Sequence, residues 1–224
     1  MAKNSNTSLP AYIKDLYSWL YFNPKVYNFL DNPLILKALT FGYHDILGEE
    51  VKKEISSHSH VLQIGVTFGS QTEKAYSALG MLGSYTIMDI IPEQIKASQK
   101  KLLDQRIKYI HANALKPFKE EYDIIICYML LHELPPYTRA ALLKNLTQNL
   151  KVGGKIIFVD YHLPLPYHPL KYFIRAFNRL YQPFAETLWK KSIRELTPNS
   201  EHFTWSQQSY FGEMYQKVVA TKNY

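Results

Sequence analysis

Four ionisable residues fall at the exits of two successive apolar runs. His132 and Glu133 follow the run Tyr122 to Leu130, and Asp160 and His162 close the run that begins at Lys155, in Val159-Asp160-Tyr161-His162. If both runs are parallel strands, all four belong at the carboxyl edge of a sheet, where open α/β sheets bind ligands, and are expected to converge there. Imidazole beside carboxylate can move a proton as general acid or base. The same donor set suits manganese or a similar divalent ion. His132, Asp160 and His162 are therefore candidate catalytic residues and candidate metal ligands. Residue type carries this expectation, since the spacing matches no metal motif. The plainer alternative is a helix-start histidine bonded to backbone, a first-turn acid, and two strand-end residues that hydrogen-bond a loop.

A second constellation lies upstream. Val61-Leu62-Gln63-Ile64-Gly65-Val66-Thr67-Phe68-Gly69 runs from a strand pattern into a glycine-bearing turn, and a helical pattern follows from about Ser70 to Leu79. Such a turn lets backbone N–H groups approach a cofactor, with Gly65 and Gly69 giving the close approach. The stretch resembles the first motif of S-adenosylmethionine-dependent methyltransferases, which would carry an acid at Gln63 and a glycine at Thr67. Asp89 ends the next strand pattern about twenty residues on, where a carboxylate can take both hydroxyls of a ribose; alternatively it is a helix N-terminal acid ahead of Pro92. His111-Ala112-Asn113-Ala114 leaves the third strand where an Asp or Asn meets the adenine amino group in methyltransferase-like folds, or where a turn simply needs an Asn. The candidate cofactor-binding residues are thus Gln63, Gly65, Thr67, Gly69, Asp89, Asn113 and Ala114.

These residues need a scaffold, and the periodicity supplies one. Strand-like runs at Val61 to Gly65, Tyr85 to Asp89, Ile107 to His111, Tyr122 to Leu130 and Lys155 to Asp160 alternate with helical patterns, an α/β signature. Right-handed crossovers favour a parallel sheet. Pro92 suits a first helical turn, and Gly153-Gly154 is read as the end of a helix around Thr138 to Leu150. Runs at His202 to Gln208 and Tyr215 to Ala220, joined by a turn at Phe211-Gly212, predict a terminal antiparallel hairpin. Upstream, residues 1–8 are polar and expected to fray. Helical patterns cover roughly Ala11 to Phe22, with Asn23-Pro24 as a stop signal, and Pro33 to Ile55. The expected fold is a class I methyltransferase-like (Rossmann-like) α/β domain with a seven-stranded sheet. Aromatic-rich N-terminal helices would occupy 1–56, and a methyltransferase-like domain 57–224 would carry a helical lid at about 163–196.

The 224 residues, 46% hydrophobic, are enough for a full core. Cys127, the only cysteine, sits in an apolar run and is read as core filling, so no intrachain disulfide can form. No secretory signal or membrane-spanning apolar run is evident, which predicts a cytoplasmic protein, soluble or attached to a membrane surface. The net charge of +7 is uneven: between Leu163 and Arg194 six basic residues face one acid, Glu186. There Tyr172, Phe173, Phe177, Leu180 and Tyr181 interleave with Lys171, Arg175 and Arg179, as in helices that lie on anionic membranes; a lid helix with a solvated basic face is the alternative. No recognition motif for nucleic acid accompanies the charge.

Several segments together resemble the methyltransferase-like proteins of rhodoquinone biosynthesis along nearly the whole chain. They are Val61-Leu62-Gln63, Val159-Asp160-Tyr161-His162, His168-Pro169-Leu170-Lys171-Tyr172, Pro183-Phe184-Ala185 with Leu188-Trp189, and Tyr210-Phe211-Gly212 with Tyr215-Gln216-Lys217-Val218-Val219. The resemblance implies conversion of ubiquinone to rhodoquinone, in which an amino group drawn from S-adenosylmethionine replaces a ring methoxy group, with manganese as supporting ion. It also makes His168 and Tyr210 candidates for substrate contact. Tyr17 and Tyr21, with Tyr12, Trp19 and Phe22, would wall a quinone channel or else pack as core. Two other functions stay open: methyl transfer to a quinone or small aromatic, with His132 or His162 as base, and a nonenzymatic cofactor-binding protein at a membrane surface.

Overall fold

The computed structural model describes residues 9–224; the polar run 1–8 lies outside them. Its strands form one seven-stranded sheet in the order β3-β2-β1-β4-β5-β7-β6. The chain forms two compact units, one up to Lys116 and one from Pro117 to Tyr224.

In the first unit, β1 (His60–Ile64), β2 (Ser84–Asp89) and β3 (Ile107–His111) are parallel, with Ile64 opposite Met88 and Asp89 opposite His111. Apolar runs with no polar alternation suit strands covered on both faces, and Val61, Leu62, Tyr85 and Ile87 are wholly buried. The helices upstream are shorter and more numerous than the pattern predicts: α1 (Ala11–Leu16), α2 (Ser18–Tyr21), α3 (Pro24–Leu30), α4 (Pro33–Leu39) and α5 (Tyr43–Lys52). Asn23-Pro24, read as a stop, also starts α3, because the Asn23 side chain accepts from Lys25 N while Pro24 takes a first-turn position. Asn32 caps α4 in the same way, accepting from Leu34 N and Ile35 N. The single helix expected from Pro33 to Ile55 breaks at Phe41-Gly42, both with positive φ. Between the strands run α6 (Gln71–Ser77) and α7 (Pro92–Lys101).

The second unit pairs β4 (Tyr122–Tyr128) with β5 (Leu150–Tyr161) in parallel. β5 then pairs antiparallel with β7 (Tyr215–Lys222), and β7 with β6 (Phe203–Tyr210), giving the expected hairpin. Cys127 is buried in β4, as core filling requires, and burial pushes its thiol pKa up. The helix α8 (Pro136–Gln148) ends before Gly153-Gly154, so the glycines are not its stop signal. They lie inside β5, where the register slips between Tyr122 and Ile124, Gly153 has φ +76° and a side chain at Gly154 would meet Asp123 O. A β-bulge is a place that glycine permits. The predicted lid segment holds α9 (Lys171–Tyr181), α10 (Ala185–Leu188) and α11 (Ile193–Leu196), the last closed by a Ser192–Glu195 capping box. Among the described residues no helix is long and apolar enough to cross a membrane.

The lid joins the hairpin turn through Gly212. Its carbonyl accepts from Leu165 N, its φ is +56°, and a Cβ there would come within 2.5 Å of the His168 ring. Gly212→Ala is therefore expected to destabilise the protein by about 1–3 kcal/mol, from left-handed backbone strain and the displaced imidazole. A thermal melt checks this; an unchanged midpoint would contradict it.

Candidate functional site

The loop after β1 is held by a buried polar chain. The Tyr85 hydroxyl donates to Gln63 Oε1 at 2.6 Å, and Gln63 Nε2 donates to Gly65 O at 2.8 Å and Thr72 Oγ1 at 3.1 Å. Thr67 Oγ1 lies 3.0 Å from Thr72 Oγ1 and donates to Gln71 Oε1. The two departures from the methyltransferase motif, Gln63 and Thr67, thus meet on one hydroxyl. Gln63 is fully buried with its amide turned into the loop. Its side chain sets the loop's shape, a role the linear pattern did not reveal.

Asp89, the expected ribose carboxylate, ends β2 against the loop after β1. Its Oδ2 accepts from Val66 N and its Oδ1 from Ile91 N, each at 2.7 Å. Carboxylate oxygens carry further lone pairs that two hydroxyls can use. Burial raises its pKa to about 6, against the opposing pull of those backbone donors. Both motif glycines take the conformation this turn needs, Gly65 at φ 83° and Gly69 at φ 70°. These features fit an adenosyl cofactor. Asn113, by contrast, turns its Oδ1 back onto Leu115 N at 2.9 Å in the turn that also contains Ala114, the plainer of its two expected roles.

Four residues at the loop were not singled out by sequence. Asp31 Oδ1 accepts from Gly69 N at 2.7 Å and from Lys101 Nζ at 3.0 Å, and Lys101 Nζ also donates to Gly69 O at 2.6 Å. Tyr27 packs on Phe68 with ring centroids 5.1 Å apart. Burial, then the charges of Asp31, Asp89 and Glu73, push the Tyr27 hydroxyl up, so it remains a donor. Asp31-Asn32-Pro33 signals a turn, but nothing in a linear pattern points to partners this far along the chain. His44 lies against Gly69 and is held neutral, its pKa lowered to about 4 by burial. Beside this clamp is a cavity of about 780 Å³ whose aromatic walls include Tyr21, Phe22 and Tyr27. Tyr21 lines it, whereas Tyr17 is buried with its ring 6.2 Å from that of Tyr21.

In the second unit a short 3-10 turn, Leu131–Glu133, follows β4. Asp160, wholly buried near the end of β5, accepts from Leu131 N at 2.8 Å and His132 N at 3.3 Å through Oδ2. Its Oδ1 accepts from Tyr161 N at 2.7 Å and His132 Nδ1 at 2.8 Å. A carboxylate can only accept, so Nδ1 carries the proton and the neutral ring keeps its lone pair on Nε2. Burial opposes charge on His132, but the Asp160 charge and hydrogen bond outweigh it and raise the imidazole pKa. The Tyr161 ring stands edge-on to His132 at 4.6 Å. Arg139, also buried, donates to Leu131 O and Phe184 O, tying this turn to the lid.

The expected metal site is not assembled. Among the described residues no three His, Cys, Asp or Glu side chains gather around a point that could hold an ion. Asp160 has two donors on each oxygen, and His162 turns Nδ1 to Glu213 O at 3.1 Å, so His132, Asp160 and His162 do not form a ligand set. His168 edges onto Phe211 at 4.9 Å and accepts from Leu170 N, and Tyr210 donates to Gln208 Oε1 at the end of β6.

Residues 62–158 match the family model described as a methyltransferase domain. No curated protein matches the chain. Solved structures that resemble it include the pyocyanin biosynthetic protein PhzM (14% identity over 93% of this chain and 62% of that one, TM-score 0.65). Human N-acetylserotonin methyltransferase in complex with S-adenosylmethionine gives 18%, 96%, 61% and 0.63. The N-methyltransferase NodS from Bradyrhizobium japonicum WM9 with S-adenosyl-L-homocysteine gives 16%, 96%, 100% and 0.61. The chain spans about three fifths of the first two. At these identities the likeness is one of fold, and the fold is that of class I methyltransferases.

Two outcomes follow from the loop. Asp89 has a folded pKa of about 6 against an ordinary 3.8, so the native state holds its proton longer and stability falls as pH rises through that window. An ionised Asp89 would be the better acceptor for ribose hydroxyls, so affinity for S-adenosylmethionine, measured by calorimetry, should weaken below about pH 6 by up to about tenfold per unit. Asp89→Asn should bind weakly with a flat profile. Gly69→Ala, which would drive a methyl into His44 and Leu36, should lose at least about tenfold in the same assay.

Proposed function

We propose that this chain is an S-adenosylmethionine-dependent transferase that acts on ubiquinone, replacing a ring methoxy group by an amino group drawn from the cofactor. One observation carries this assignment: the loop keeps Gly65, Gly69 and the carboxylate of Asp89, while the exit of β1 carries a neutral amide, Gln63, in place of the acid. When bound, S-adenosylmethionine supplies the nitrogen. An α-amino group titrates near ~7.7–8.0, and a neighbouring carboxylate would favour its protonated form by roughly 1 to 3 units. Gln63 exerts no such pull, so the loop does not hold the amine as an ammonium without a lone pair. Asp89 takes the ribose hydroxyls, and the 780 Å³ cavity with Tyr21 and Phe22 in its wall is large enough for a quinone head. His132, oriented by Asp160, offers Nε2 as a base. Manganese, which the resemblance implies, finds no ligand set among the described residues, and no step is assigned to it.

Ubiquinone resides in a bilayer, so the protein would work at a membrane surface. Support comes from α9, which exposes Tyr172, Phe173 and Leu180 beside Arg179. The His132–Asp160 pair favours a second reading, methyl transfer to a quinone or small aromatic with His132 as general base.

Mass spectrometry of a reaction with ubiquinone and S-adenosylmethionine labelled with heavy nitrogen, run with and without manganese, separates the readings. Label in an aminoquinone is the expected result, and a methylated product would overturn amination. Tight cofactor binding with no product in either condition would leave a nonenzymatic binding protein. Gln63→Glu should shift the pH profile of amination upward and lower the melting temperature, because a carboxylate would face Gly65 O. A pH profile identical to that of the wild type would sink the charge argument.

A further inference from the structure

The lid lines a second, partly open cavity, of about 410 Å³, that no step of the proposed reaction uses. Its volume lies within the range of about 300–1,000 Å³ usual for ligand pockets. Asn178, on the inner side of α9, is 1% exposed, and neither atom of its amide has a hydrogen-bond partner. Arg175 Nε, Gln182 Oε1, Glu186 Oε1 and Trp189 Nε1 are buried around the same cavity, also without one. Buried polar groups are almost always satisfied. Five such side chains around one space describe a site built for a polar occupant.

The groups sort by chemistry. Arg175 Nε, Trp189 Nε1 and the Asn178 amide nitrogen can only donate, and Arg179 and Lys190 add positive charge to the wall. Asn178 Oδ1, Gln182 Oε1 and the Glu186 carboxylate can only accept, Glu186 being also 3.6 Å from Arg179 Nε. The occupant must therefore present an anion together with hydroxyl donors. A quinone ring has acceptors only and no charge. On the outward side of the same helix Tyr172, Phe173 and Leu180 are 78%, 64% and 76% exposed, an apolar surface that suits acyl chains next to the cavity.

We propose that the lid cavity binds the glycerophosphate headgroup of an anionic lipid, with the phosphate against Arg175, Trp189 and the Asn178 amide nitrogen, and the glycerol hydroxyls donating to Asn178 Oδ1, Gln182 and Glu186. This deepens the membrane-surface part of the function proposed above and rests on it. The cavity's surroundings also reach toward the His132 turn. The Gln182 side chain lies beside the Tyr161 hydroxyl, and the Tyr161 ring stands against His132. Arg139 joins Phe184 O, in the pocket's own loop, to Leu131 O.

The test is co-sedimentation of the full chain with phosphatidylcholine vesicles containing phosphatidylglycerol or, at equal negative charge, phosphatidylserine. Wild type should bind the phosphatidylglycerol vesicles about tenfold more tightly, the effect of one or two charge-assisted hydrogen bonds, and sn-glycerol 3-phosphate should compete. Asn178→Leu should remove the preference without lowering the melting temperature, since it deletes an unsatisfied amide at nearly constant volume. Trp189→Phe should remove part of the preference and keep the ring. Equal binding of both vesicle types would overturn the pocket and leave only attachment by the basic, aromatic face. Binding of neither would overturn the membrane reading itself. Saturable binding of sn-glycerol 3-phosphate with no vesicle preference would overturn the lipid as source in favour of a soluble phosphate.

Discussion

A carboxylate withdrawn from water must be met by donors, and in both units those donors come from backbone that would otherwise be free loop. Desolvating such a group costs several kcal/mol even after relaxation, so each buried acid dictates the conformation of the chain around it. Asp89 draws Val66 N and Ile91 N together, which gives the loop after β1 and the turn after β2 one anchor. Asp160 does the same with Leu131 N, His132 N and Tyr161 N, and then selects the tautomer of the His132 ring. Loop shape and side-chain chemistry in each unit are consequences of satisfying one acid at a strand end.

The cofactor loop departs from the methyltransferase motif at two positions, and the departures belong together. Gln63 and Thr67 both reach Thr72, and the chain of hydroxyls and amides runs on to Tyr85 at one end and Gln71 at the other. A carboxylate at position 63 could not donate to Gly65 O as the amide does. The neutral amide is thus integral to the loop, and the missing charge, which matters for the protonation of any amine bound nearby, comes with it. Asp31 and Lys101 close the loop from the opposite end through Gly69.

The lid has a different character. α9 turns aromatic and aliphatic side chains outward and keeps Ile174 and Asn178 inward, the opposite of what a solvated surface helix does with large apolar residues. Arg139 bonds the loop after α9 to the 3-10 turn that carries His132, so the lid and the buried dyad are joined through hydrogen bonds, not by apolar packing alone.

Strand positions, the terminal hairpin and the glycine loop were legible in the sequence, because each rests on local periodicity or on a short run with a backbone requirement. Asn23-Pro24 shows the limit: the same pair ends one helix and caps the next, and only the following turn decides. Gly153-Gly154 was misplaced because a bulge is defined by its partner strand, which a linear pattern does not contain. The metal expectation rested on residue types alone, and hydrogen bonding consumed the acceptors of Asp160 before an ion could use them. Sequence by itself determined the order of elements, the neutral loop and the basic, aromatic character of the segment around α9, all properties of residues near one another along the chain. Tertiary structure alone decided that Gln63 serves the loop, that Asp160 belongs to His132, that Asp31 holds Gly69 and that Asn178 faces a cavity. Each of those facts depends on which distant groups compete for the same hydrogen bonds once water is excluded.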